Sequence, residues 1–140
     1  MRKIREQLRR LARRFPGKLI SKKGKFDYVD HAVITQVLLA EVGNYDWELV
    51  REIHESDGTI SGAVWRLTCI IDGEKTVTEE VGDVENPQSK KTNGARAKDA
   101  SSDALKRCAM RRGLGLHLWA QENYFLDRAL EAEKDKDPVL

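Results

Sequence analysis

Between Gly43 and Val84 the side-chain pattern repeats every two residues, and no other stretch constrains the fold as strongly. Tyr45, Trp47, Leu49, Arg51 and Ile53 alternate with Asp46, Glu48, Val50, Glu52 and His54. Successive side chains of a strand leave opposite faces, so this alternation predicts a half-buried strand. Ala63, Trp65, Leu67, Cys69 and Ile71 mark the buried face of a second strand, within Thr59 to Ile71. Val77 and Val81 share one face of a third, from Glu74 to Val84. Asp57-Gly58 and Asp72-Gly73 separate the runs, and Asp-Gly tolerates the positive φ angles of a tight hairpin turn. A three-stranded antiparallel meander is the expectation.

Helical periods flank it. Ile4, Leu8, Leu11 and Phe15 lie on one stripe of an Arg-rich helix from Arg2 to Phe15, stopped by Pro16-Gly17. Ser21 to Lys25 reads as a basic loop and Tyr28-Val29 as a short strand. Asp30 is placed as the N-cap of a helix from His31 to about Val42. Ala32, Val33, Val37, Leu38 and Ala40 form its apolar side, and Gly43 supplies the stop. After a loop from Asp83 to Asn93, a helix from Gly94 to Arg112 carries Ala97, Ala100, Ala104 and Cys108 on one stripe. Such small residues let a helix lie close on a sheet. Gly113 and Gly115 close it, Leu116 to Trp119 return to the core, and Gln121 to Glu133 form a last helix before a frayed DKDPVL. The fold class is therefore α+β: a β-meander packed on a long basic helix, with flanking N- and C-terminal helices. A length of 140 residues fits a single domain. Within it, 1–25 form a basic arm, 26–119 a core, and 120–140 a C-terminal helix and tail.

The net charge of +2 conceals segregation. Residues 1–25 carry a net +10, 26–85 a net −11, 87–112 a net +6, and 113–140 a net −3. Basic blocks around an acidic middle predict a local polyanion surface rather than a uniformly basic protein. The N-terminal block is expected to dock on nucleic acid or on a neighbouring subunit. An Arg-rich amphipathic start also suits a transit peptide, against which Glu6 and the absence of serine in the stripe count. No apolar run reaches the ~18 residues of a membrane span, and no secretory leader is legible. Cys69 and Cys108 lie in apolar stretches without a CxxC partner, as buried thiols of a reducing cytoplasm do.

No nucleophile, nucleotide-loop or metal-ligand pattern accompanies the second basic block. Lys90, Lys91, Arg96, Lys98, Lys106, Arg107, Arg111 and Arg112 face only Asp99 and Asp103. Cations that neutralise phosphates release condensed counterion, so a rail of this kind suits a polyanion and binds it in a salt-dependent way. Asp103, one turn before Arg107, is placed to hold that guanidinium in a fixed direction. Trp47, Trp65, Trp119 and Tyr45 are candidate stacking platforms for unpaired bases. Core packing suits Trp65 and Trp119 better, and Tyr45, at the mouth of the first strand, is the preferred platform. His31, His54 and His117 fit no ligand spacing. Asp83, Glu85, Glu79 and Glu80 are candidates for a nuclease metal site, but Glu79 and Glu80 point to opposite faces of a strand. No enzyme activity, metal or cofactor is expected.

Two resemblances follow from these motifs. Helix, three strands and helix, with SKKTNGARAKDASSDAL opening the second helix, resemble a double-stranded RNA-binding domain. In that comparison Lys90, Lys91 and Lys98 span phosphates across a groove. The closer resemblance is to the Rad-fifty-two family of single-strand annealing recombination proteins. It rests on YVDHAVITQVLLAEVGNYDWE, on VTEEVGDVE and on DALKRCAMRRGLGLHLW, in the family's order across most of Tyr28 to Trp119. It implies a β-β-β-α core assembled into rings or helical homo-oligomers. Single-stranded DNA would lie with its phosphates in a shared groove and its bases turned outward, and would be annealed without ATP hydrolysis. Lys106 and Arg107 match the family's paired groove cations. Lys98, Arg96, Arg111, Lys90 and Lys91 widen that rail, with Tyr45 and Arg51 on the sheet beside it. From charge alone, Lys22, Lys23 and Lys25 form a second, outer strand site. The chain departs from the family at Val33 and Met110, where arginines are expected, with His31 and Arg111 close by. It has no counterpart of the long partner-binding region of eukaryotic members. The resemblance therefore implies an annealing core of phage or bacterial type, cytoplasmic and associated with a nucleoid. It also allows contacts with other recombination or single-strand-binding proteins. A metal-dependent recombination nuclease is the third alternative.

Overall fold

A computed structural model describes residues 5–136. The period-two stretch forms three antiparallel strands in chain order, β3 (Asp46–His54), β4 (Ile60–Ile71) and β5 (Glu74–Asp83). Before them come α1 (Glu6–Leu11), a small hairpin of β1 (Ser21–Lys23) and β2 (Phe26–Tyr28), and α2 (His31–Val42). After them come α3 (Asn93–Arg111), α4 (Leu116–Ala120) and α5 (Leu126–Lys136). The expected α+β arrangement of a three-stranded sheet, a long helix and flanking helices is present. The expected basic loop at Ser21 to Lys25 is instead a hairpin turned at Gly24, with Lys22 opposite Asp27.

Helix α3 lies across β4 and β5, and the reason is the small residue on each side of the contact. Ala100, Ala104, Cys108 and Ala109 are fully buried, and Gly82 of β5 faces them. A Cβ on Gly82 would overlap the Ala100 carbonyl oxygen and stand 2.7 Å from the Ala104 nitrogen. Thr92 caps the helix by accepting a hydrogen bond from the Ala95 amide at 3.1 Å. The two acids of α3 attach it to the end of β5. Asp103 accepts from the Asp83 amide at 2.9 Å, and Asp99 accepts from the Glu85 amide.

The register of β3 corrects one expectation. Leu49 pairs with Trp65 and Arg51 with the next β4 residue, Val64, so Val50 is an extra, bulged residue. The bulge shifts the phase of the strand. Trp47 and Leu49 lie opposite Leu67 and Trp65 on the helix side, whereas Arg51 and Ile53 lie opposite Val64 and Gly62 on the other face. That outer face also presents Ile70, Val77 and Val81, all exposed.

The main core joins Leu11 and Phe15 to Ile34 and Leu38 of α2, Leu67 and Cys69 of β4, and Leu105, Cys108 and Leu114. Asp30 caps α2 as expected, but the buried stripe is Ile34 and Leu38, while Ala32 and Ala40 are exposed. Residues four apart share a helix face, and Ala32 and Ala40 lie off the one that Ile34 and Leu38 define. Helix α1 is shorter than expected, and Ile4 lies outside the described residues. The turn residue Asp72 caps α1: its carboxylate accepts from the Gln7 and Leu8 amides at 2.8 and 3.2 Å. The last helix starts later than expected, at Leu126. Asp135 and Lys136 of the expected frayed tail complete it, and residues 137–140 lie outside the described residues. No helix among the described residues is long and apolar enough to cross a membrane.

Candidate nucleic-acid interface

Four N-terminal arginines are paired with acids of the same chain. Arg5 pairs with Glu133, Arg9 with Glu6 and Glu131, Arg10 with Glu41, and Arg14 with Asp127 at 3.0 Å. The Arg14 guanidinium also lies 5.1 Å from the centre of the Tyr124 ring. Three of these arginines, Arg5, Arg9 and Arg14, are thus paired with acids of the C-terminal helix.

Helix α3 is different. Lys98, Ser102 and Lys106 recur once per turn on its open side, and they line a cleft of about 560 Å³ with His31, Lys90 and Arg107. The cleft runs between α3, the segment after β5 and the start of α2. Four carboxylates also line it: Asp83, Glu85, Asp99 and Asp103. Each is engaged. Asp99 and Asp103 accept the backbone amides of the β5 end. Glu85 pairs with Lys23. Asp103 accepts from the Arg107 Nε at 2.9 Å, and an Asp83 oxygen stands 4.0 Å from the same guanidinium. Among the described residues no ion pair involves Lys90, Lys91, Lys98 or Lys106. The cleft therefore presents lysines without counter-ions beside carboxylates that already have partners.

Arg107 is oriented as the helical spacing predicts. Asp103 holds its Nε, and its guanidinium carbon stands 5.1 Å from the centre of the Trp119 ring. Lys106 leans the other way, with Nζ 5.5 Å from the centre of the Tyr28 ring. Both rings are substantially exposed, Tyr28 at 40% and Trp119 at 46%. Trp119 therefore does not return to the core as expected. Tyr45, the preferred stacking platform, is half-buried against the main core. Trp47 and Trp65 stack on each other at 5.0 Å, and the Trp47 indole donates to Ser101. Sequence reasoning passed over Tyr28 as a site residue, although it opens the YVD step; only the β1–β2 hairpin shows that it faces Lys106.

The remaining expected cations divide by partner. Arg96 donates to the carbonyls of Lys90, Ile60 and Pro87 at 2.9, 2.9 and 2.7 Å, which makes it a fastener of the loops around the start of α3. Arg111 pairs with Glu80 at 2.6 Å. Arg51 lies on the far face of the sheet from α3. Lys22 pairs with Asp27 at 2.7 Å, Lys23 with Glu85, and Lys25 lies 6.0 Å from the Phe26 ring centre. Glu79 and Glu80 do point to opposite faces, one to Arg66 and the other to Arg111. Among the described residues no group of three or more His, Cys, Asp or Glu side chains could hold a metal ion.

Two buried groups lie away from the cleft. Desolvation pushes the Cys108 thiol up to about 12, so it is not a nucleophile at neutral pH. His117 is buried between Phe15 and Tyr124, and its Nε2 accepts the Phe15 amide hydrogen at 3.0 Å. Burial, then the nearby Arg14 charge, lowers its pKa.

No curated protein matches the chain closely. A family model described as Rad52/22 family double-strand break repair protein matches residues 21–137, a span holding the hairpin, the sheet and the whole cleft. The chain therefore belongs to the Rad52/22 family of double-strand break repair proteins, and its place is in DNA recombination and repair.

Proposed function

We propose that this chain binds single-stranded DNA through phosphates laid along α3 and anneals complementary strands, without nucleotide hydrolysis, as an assembly of several copies. One observation carries the reading. In a member of a double-strand break repair family, the cleft side of α3 holds Lys98 and Lys106 unpaired, with Arg107 fixed beside them. Lys106 and Arg107 grip adjacent phosphates, and Lys98 and Lys90 extend the track. Arg96 acts on that track indirectly, by holding the loop that carries Lys90. Copies arranged as a ring or helical filament would join their clefts into one groove, which a single strand needs to stay extended. Family membership favours this reading over the duplex RNA module.

The test is salt dependence. Each phosphate contact on a single strand contributes about −0.7 to the slope of log affinity against log salt. Changing Lys106 and Arg107 together to Ala should lower the slope by about 1.4 and abolish annealing of complementary oligonucleotides. An unchanged slope with normal annealing would sink the assignment. The native mass of the assembly checks the oligomer separately, and a monomer that anneals at full rate would refute the shared groove.

A further inference from the structure

Beside the phosphate cleft lies a second concavity of about 190 Å³, and Lys106 lines both. Its floor is apolar and buried: Val29, Ile34 and Leu114 are each no more than 3% exposed. Its rim is aromatic and open, with Tyr28 and Trp119. A cation lies within about 6 Å of each ring, Lys106 at Tyr28 and Arg107 at Trp119. An aromatic rim over an apolar floor suits a flat, partly polar ring. The cations that would hold the phosphates are the same two that approach the rim. A strand lying on them brings its own bases to the pocket mouth.

We infer that this pocket takes one nucleobase per copy, stacked against Trp119 and Tyr28 while the adjoining phosphate rests on Lys106 and Arg107. The inference rests on the proposed phosphate track and adds to it. Most bases face outward for pairing, and one in each copy's share of the strand is turned inward as an anchor. Stacking is tolerant of sequence because every base has a π-face, so the anchor confers affinity without specificity.

The test compares a fluorescent oligothymidylate with a strand of equal length whose residues are abasic, by anisotropy at one salt concentration. Both carry the same phosphates. Base–aromatic stacking corresponds to roughly a 5- to 150-fold gain in affinity. The base-bearing strand should therefore bind about tenfold more tightly to the wild type. Trp119→Ala should remove most of that preference, and Trp119→Phe, which keeps a ring, should restore it. Tyr28→Leu should weaken it, which guards against misfolding at one position. Equal binding of the two strands by the wild type would overturn the inference and leave the phosphate track standing. Binding of neither would remove both. A Trp119→Ala protein whose assembly falls apart would show that the pocket seats a neighbouring copy, and the inference would be wrong.

Discussion

Arg5, Arg9 and Arg14 at one end of the molecule each reach a carboxylate of α5, while Lys98 and Lys106 on α3 reach none among the described residues. Residues 1–25 hold a net +10 and residues 87–112 a net +6, yet it is in the denser block that Arg5, Arg9, Arg10 and Arg14 are all paired with acids. The side chains differ as their uses do. Arginine's planar fork matches a carboxylate at two points, and the N-terminal block uses it to bind two helices together. Lysine is a mobile point charge, and on α3 Lys98 and Lys106 line the cleft without a carboxylate partner among the described residues. The lesson is that net charge locates candidate polyanion surfaces, but the pairing of each cation decides among them.

The largest way to break this comparison is to unseat α3. Gly82→Ala should destabilise the fold by about 3 kcal/mol or more, because the clash is with helix backbone that has no rotamer in which to yield. Thermal unfolding measures the loss. A protein of unchanged melting temperature would mean that α3 does not lie where its small residues put it.

The α1–α5 end should be sensitive to pH. Burial holds His117 neutral, with its pKa below the ordinary value of about 6.5. As pH falls below that value, the unfolded chain takes up a proton that the folded chain refuses. Stability present above pH 6.5 is therefore lost as pH drops through the folded pKa. His117→Phe should flatten this acid limb. It should also cost about 1–3 kcal/mol at neutral pH, since the Phe15 amide loses its acceptor. An acid limb identical to the wild type would exclude His117 as its source.

A matched pair of substitutions sharpens the contrast further. Arg14→Ala should lower stability by on the order of 1 kcal/mol, through the lost Asp127 pair and Tyr124 contact, and leave the salt slope of DNA binding intact. Lys98→Ala should do the reverse, changing stability by no more than about 0.5 kcal/mol and the slope by about 0.7. The two blocks would be equivalent if both variants altered the slope. The smallest expected effect is chemical. With its thiol held near 12, Cys108 should resist alkylation at pH 8 in the folded protein and react on unfolding.

Much of the architecture was legible because it depends on neighbours in the chain. The alternation around Trp65 and Leu67, the Asp72-Gly73 turn and the Ala100–Ala104–Cys108 stripe are all local periodicities, and each element formed where its period indicated. The Asp103–Arg107 bond was legible for the same reason, at one helical turn. The bulge at Val50 was not. Nothing in WELVREI marks an extra residue, and only pairing with β4 shows that Arg51 leaves the face of Trp47. That Tyr28 and Trp119 border one pocket was likewise hidden, since the two rings stand 91 positions apart in the chain.

The sequence by itself determined the three-stranded meander, the long helix after it and the two cationic blocks, because periodicity, caps and turns act over a few residues. Tertiary structure alone decided which block stays available. The partners of Arg5, Arg9 and Arg14 lie 113 to 128 residues away along the chain. Whether a charge is cancelled depends on a carboxylate within a few ångströms, and that distance exists only once the chain has folded.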